Sequence, residues 1–278
     1  MRLGGPIFAK PDSPERWTAL HREVGYRAAY CPVGPDATDA EIADYRDAAA
    51  ANDLVIAETG AWSNPISPNA EQRAAAIDKC IAMLALADRI GARCCVNLAG
   101  SMSTENWHGP HAENYSPAAF DRIVETVQHI IDQAQPRHAS YTLEMMSWCP
   151  PDSPESYLEL IHAIDRDRFA VHFDPVNLIN SPRRYYAHGE VIRDVVNKLG
   201  PRIRSVHVKD VTLTPRQLVH LDECRPGTGA LDYPALFAAL DELDPDLPLM
   251  LEHLPDAEQY ALAADHLRHV AREGGWAL

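Results

Sequence analysis

The sequence predicts an α/β fold in which eight parallel strands close into a single (β/α)8 barrel spanning residues 1–278. Short apolar strand patterns alternate with longer helical patterns from one end of the chain to the other, and eight of each point to closure. No Gly-x-Gly-x-x-Gly follows the first strand, since Gly4-Gly5-Pro6 does not fill it, which disfavours an open dinucleotide-binding sheet. The length of 278 residues suits one α/β barrel of about 250 residues. No linker, internal repeat or low-complexity tract divides it.

The expected strands are Leu3–Ala9, Tyr26–Tyr30, Leu54–Glu58, Ala92–Ala99, Ser140–Met145, Phe169–Asp174, Ile203–Lys209 and Leu247–Glu252. Between them, Ser13-Pro14-Glu15 opens a helix through Trp17 and Leu20, and a second runs from Asp36 to Ala51. A long Ala-rich helix covers Ala70–Ile90, and Ser116-Pro117 starts one that reaches Ala134. Ser153-Pro154 opens the next, followed by Glu190–Leu199, Tyr233–Leu240 and Ala257–Ala271. A Ser-Pro opening is physically apt, because Ser caps and Pro at the first helical position wastes no amide hydrogen.

The chain is 46% hydrophobic and 23% charged, enough for a large core. Its 40 Asp and Glu exceed its 25 Lys and Arg, and the resulting −15 repels a phosphate backbone, so nucleic acid is not the expected partner. The N-terminus reaches Pro11 and Asp12 without a signal-like apolar run, and Cys80–Ala87 is far shorter than the roughly 20 residues that cross a bilayer. Cysteines 31, 80, 94, 95, 149 and 224 show no CxxC pair or secreted spacing. The expectation is a cytoplasmic protein with reduced thiols and no membrane partner.

In a barrel of this kind functional groups sit at the C-terminal ends of strands. The fifth expected strand ends at Glu144, the sixth at Asp174, the seventh near His207 and the eighth at Glu252. Each lies in an apolar segment where a lone charge costs several kcal/mol unless it is paired or coordinates a cation. Any one alone is commonly a loop ion-pair partner or a packed histidine. Together, at the ends of four consecutive strands, three carboxylates and an imidazole suit one divalent cation, with Mn²⁺ first and Mg²⁺, Co²⁺ or Zn²⁺ as alternatives.

These residues, with the GYRAAY, HVKD, RPGTGALDYPALFAAL and LMLEHL segments, resemble the xylose-isomerase-like TIM-barrel superfamily over most of the chain. The patterns are nearest to ketose 3-epimerases, hydroxypyruvate isomerases and inosose dehydratases. The resemblance implies one divalent cation held by Glu144, Asp174, His207 and Glu252. Ketose 3-epimerases carry a substrate-binding His where this chain has Asn177, and an Arg where it has Leu213. HVKD is similar to the HLKD of inosose dehydratases, and Lys209, on the same strand face as His207, is expected in the barrel mouth.

The resemblance implies isomerisation or epimerisation of a carbohydrate, a keto sugar or related polyol ketone, through an enediolate whose charge the cation stabilises. Glu144 and Glu252 then serve as the proton-transferring carboxylates. The same intermediate can instead expel a β-substituent, so a lyase or dehydratase is the runner-up. Expected substrate contacts are Lys209, Asn177 and, from the loop after the fourth strand, Trp107, His108 and His111, with Asn114 beside them. Glu58 and Trp62 are weaker candidates, and His172 is expected to support a neighbour from a layer deeper. Arg183 and Arg184 could meet an anionic group or form a solvated patch. An endonuclease IV-type nuclease is disfavoured, because Glu58, Asn97 and Asn177 stand where further zinc-binding histidines belong. A non-catalytic sugar-binding barrel remains the other alternative, and a homo-oligomer is compatible with the acidity.

Overall fold

The computed structural model describes residues 1–278. Eight parallel strands form the closed barrel: β1 (Arg2–Gly4), β2 (Ala28–Tyr30), β3 (Val55–Gly60), β4 (Cys94–Asn97), β5 (Ser140–Glu144), β6 (Phe169–Phe173), β7 (Ile203–Val208) and β10 (Pro248–Leu251), with β10 pairing to both β1 and β7. Between β7 and β10 lies an antiparallel hairpin of β8 (Asp210–Thr214) and β9 (His220–Cys224), outside the barrel sheet. The helices are α1 (Pro14–Glu23), α2 (Asp39–Ala51), α3 (Ala70–Ile90), α4 (Pro117–Ala134), α5 (Pro154–Ile164), α6 (Pro182–Tyr185), α7 (His188–Leu199), α8 (Tyr233–Asp241) and α9 (Ala257–Gly274). None is long and apolar enough to cross a membrane.

Local chemistry sets the helix starts. Ser13, Ser116 and Ser153 each accept an amide of the first turn, each followed by Pro at the first helical position. Thr38 and Glu41 form a reciprocal capping box, so α2 starts three residues later than Asp36. Gly91 ends α3 in the left-handed conformation at φ 79°.

The structure departs from the expected elements in three places. The first strand stops at Gly4 rather than Ala9, because Pro6 lacks the amide that continued pairing needs. A hairpin that the sequence reading did not include follows the seventh strand, and α6 is an added short helix between β6 and α7. Barrel closure also depends on a small side chain: β1 meets β2 only at Gly4↔Ala28, and a Cβ at Gly4 would stand 2.4 Å from the Ala28 carbonyl oxygen.

The main apolar core packs the outer sheet face against the helices, with Leu3, Leu143, Val171, Val206 and Leu249 meeting Leu84, Ile130, Leu160, Ile192 and Leu236. The barrel interior is different in kind. Glu58, His172, Ser205 and His207 are all buried there and bond to one another.

Candidate metal centre and substrate cavity

Each of the four candidate ligands sits at or close to the end of its strand. Glu144 is the last residue of β5, His207 is the last but one of β7, and Asp174 and Glu252 follow β6 and β10 by one residue. Ligand atoms of Glu144, Asp174, His207 and Glu252 all lie within 4.8 Å of one another. His207 Nδ1 is 3.0 Å from Glu252 Oε2 and 3.5 Å from Glu144 Oε1. Asp174 Oδ1 accepts the amides of Val176 (2.9 Å) and Asn177 (3.3 Å), so the turn after β6 fixes the carboxylate and turns Oδ2 into the site. Asn177 Nδ2 donates to Glu144 Oε1 at 2.9 Å and holds that carboxylate in place.

The ring is electrostatically crowded. Burial, with Glu144 and Glu252 nearby, pushes the Asp174 carboxyl up to about 7 against the pull of Lys209. Burial opposes charge on His207 as well, but Glu252, Glu58 and Glu144 outweigh it and hold its pKa well above the ordinary value. Lys209 Nζ lies 2.6 Å from Asp174 Oδ2, 2.7 Å from Glu252 Oε1 and 3.4 Å from Glu223 Oε2. No well-directed hydrogen bond reaches Asp174 Oδ2, His207 Nδ1 or Glu252 Oε1, although all three atoms are buried. Three carboxylates and an imidazole converge on one point, with Lys209 as their one ammonium partner, a donor set of the kind that fits a hard divalent cation.

Above the ring opens a cavity of about 510 Å³, lined in part by Tyr30, Trp62, Trp107, His108, Trp148 and His253. Lys209, Asn177, Glu144, His207 and Glu252 reach its floor, and Lys209 is its one lysine or arginine. Of the expected loop residues, Trp107 and His108 line this cavity. His111 does not: it is exposed, outside the lining, and its Nδ1 accepts the Glu113 amide to cap a short turn. Asn114 is buried scaffold rather than rim, bonding Met102 N, the Gly109 carbonyl and the Trp148 carbonyl. Arg184 donates to the Leu178 carbonyl, away from this cavity.

Trp148, Glu223 and His253 line the cavity without having been singled out from sequence. The signal for Glu223 was the alternation of Val211, Leu213 and Leu221 about Thr214-Pro215, which marks a hairpin. His253 adopts a positive φ of 58° next to Glu252, a conformation that leaves no trace in the composition. The HVKD and PGTG segments prove to be one unit. Buried Asp210 accepts amides from Val211 and Leu231 through Oδ1 and from Gly227 and Gly229 through Oδ2, while Tyr233 Oη donates to the Lys209 carbonyl. Lys209 is thereby anchored at its backbone.

Residues 19–270 match the family model described as xylose isomerase-like TIM barrel. The chain belongs to that family. A search of curated proteins finds no match. Among solved structures, this xylose isomerase-like barrel is similar to endonuclease IV from Thermus thermophilus, with TM-score 0.74 and 16% identity over 98% of this chain and 100% of that one. It is also similar to D-psicose 3-epimerase from Clostridium cellulolyticum, with TM-score 0.69 and 14% identity over 100% of both chains. A third is the probable 3-DHS dehydratase of petrobactin synthesis from Bacillus anthracis, with TM-score 0.67 and 14% identity over 97% of this chain and 98% of that one. At such identities the likeness is one of fold, and the chemistry has to be argued from the site.

Proposed function

We propose that this xylose isomerase-like barrel is a divalent-metal-dependent isomerase or epimerase of a keto sugar, with Glu144, Asp174, His207 and Glu252 as ligands and Mn²⁺ as the favoured ion. The observation that carries the reading is the meeting of these four donors within 4.8 Å of one another at the floor of a tryptophan-walled cavity. A bound divalent cation supplies Lewis acidity to the carbonyl and adjacent hydroxyl of a ketose, which makes the neighbouring C–H acidic.

The protein's own groups do the rest. Glu144 and Glu252 flank His207 from opposite sides, since β10 neighbours β7 on one edge and β6 and β5 follow on the other. One carboxylate can take a proton from one face while the other returns a proton to the opposite face. Asn177 keeps Glu144 aimed, and Lys209 Nζ offers a positive donor to charge developing on substrate oxygens. Trp62, Trp107 and Trp148 give the apolar face of a sugar a wall to lie on.

Lys209 also favours a second reading, because a buried ammonium can give its proton to a departing hydroxyl and so support dehydration. The nuclease reading is weaker. Three glutamates line the cavity against one lysine, and the neighbouring arginines lie outside it, a poor match for a phosphate backbone.

The test is incubation with Mn²⁺ and a panel of keto sugars in D₂O, with products read by NMR and mass. Deuterium beside the carbonyl in an isomer or epimer supports the proposal, and loss of water selects dehydration. Unchanged sugars throughout, together with cleavage of abasic-site DNA, overturn both.

A further inference from the structure

We propose that Glu58 is a positioning residue for His207. Its carboxylate, one layer below the four candidate ligands, fixes the imidazole tautomer that presents Nδ1 to the cation. The inference rests on the metal reading above and concerns how the imidazole is held.

Glu58 is 2% exposed, inside the barrel, where an ionised carboxylate is tolerated only with full hydrogen bonding. It has that bonding. Oε1 accepts from His207 Nε2 at 2.9 Å, and Oε2 accepts from Ser205 Oγ at 2.7 Å and from His172 Nε2 at 3.3 Å. An ionised carboxylate only accepts, so the nitrogen facing it carries the proton. A neutral imidazole protonated at Nε2 has its lone pair on Nδ1. That atom is the one that faces the other candidate ligands, 3.0 Å from Glu252 Oε2, where a bound cation would take the place of a proton.

The neighbours contact the ring as well as the carboxylate. His172 packs edge-on against His207, with centroids 4.1 Å apart and planes at 77°. Ser205 and His207 share a face of β7 by strand alternation, so the residue that saturates Oε2 and the residue that is held come from one strand. Strand β3, far from β7 in sequence, supplies the acceptor across the barrel interior. An apolar residue at 58 would fill the space without choosing a tautomer.

The competing view is a second cation, since Glu58, His172 and His207 also have ligand atoms within 4.8 Å of one another. His207 Nε2 cannot both donate to Glu58 and bind an ion, so the two views give different stoichiometry and different nitrogen signals.

The experiment combines calorimetric Mn²⁺ titration of wild type, Glu58→Gln and Ser205→Ala with nitrogen-15 histidine spectra of Mg²⁺-loaded wild type. The expected result is one equivalent of Mn²⁺ per chain, affinity weakened about 10–100-fold in Glu58→Gln, and His207 protonated at Nε2. Should wild type bind no divalent ion, the metal reading fails and takes this role with it. One equivalent bound equally well by Glu58→Gln, or a His207 protonated at Nδ1, overturns the positioning role alone. Two equivalents in wild type and one in Glu58→Gln overturn it in favour of a second cation. If Glu58→Gln does not fold, the wild-type spectrum decides, with Ser205→Ala expected to weaken binding by a few-fold.

Discussion

The entry into the strand that ends at Glu144 hangs on a single carboxylate oxygen. Asp88 Oδ1, on α3, accepts the amides of Arg137 (2.9 Å), His138 (2.6 Å) and Ala139 (2.9 Å), immediately before β5 begins at Ser140. Replacing Asp88 by Ala strips all three acceptors. The amides of Arg137 and His138 are near water and rehydrate, whereas Ala139 is buried, so the loss is that of about one buried donor plus a solvent-discounted charge effect. That amounts to about 2 kcal/mol. At about 2.1 cal/mol/K per residue, the 278-residue chain has an unfolding entropy near 0.6 kcal/mol/K, so the expected fall in Tm is about 3–4 °C. The pH dependence has a definite sign. Partial burial opposes ionisation of Asp88, but the three amides outweigh it and lower its pKa. Its stabilisation is therefore complete above the unfolded value of about 3.9 and disappears as pH falls through the lower folded value. Scanning calorimetry of wild type and Asp88→Ala at pH 7 and at successively lower pH follows this directly. A difference below about 1 °C at pH 7, or one that widens as pH drops, refutes the reasoning.

Other perturbations follow from the same geometry. Mn²⁺ at about 100 times its Kd is expected to stabilise the protein by about 2.7 kcal/mol, or roughly 4–5 °C in a thermal scan, and Glu144→Gln or Glu252→Gln should remove most of that shift. Gly4→Ala drives a Cβ against the Ala28 carbonyl at the barrel seam and should cost about 1–3 kcal/mol, seen as a lower denaturant midpoint. Trp148→Ala removes one of the tryptophans that wall the cavity and leaves the proton-transferring carboxylates in place. A rise in KM with little change in kcat is expected once a substrate is in hand. Asn177→Ala frees Glu144 Oε1 and should lower kcat more than it raises KM, as steady-state kinetics on the same substrate would reveal.

Much of this protein was legible in the order of its residues. Alternating strand and helix patterns with Ser-Pro starts determined the barrel, because each signal is local: a period of two or of 3.6, a cap, a missing amide hydrogen. Since a barrel puts its chemistry at strand ends, the sequence also singled out Glu144, Asp174, His207 and Glu252. Tertiary structure alone decided what required distances between strands remote in the chain. Closure of the sheet carries β3 to β7, which turns Glu58 from a residue at a strand end into the partner of His207. Loops have no periodicity to read. Asn114 and His111, both polar in the same loop, take opposite fates because one finds buried backbone partners and the other caps an exposed turn. Glu223 and His253 reach the cavity through a hairpin and a left-handed backbone, and their side chains meet at 3.1 Å. The chain thus encodes its ligand types one strand at a time, while the shape of the cavity around them comes from contacts that exist only when the barrel is shut.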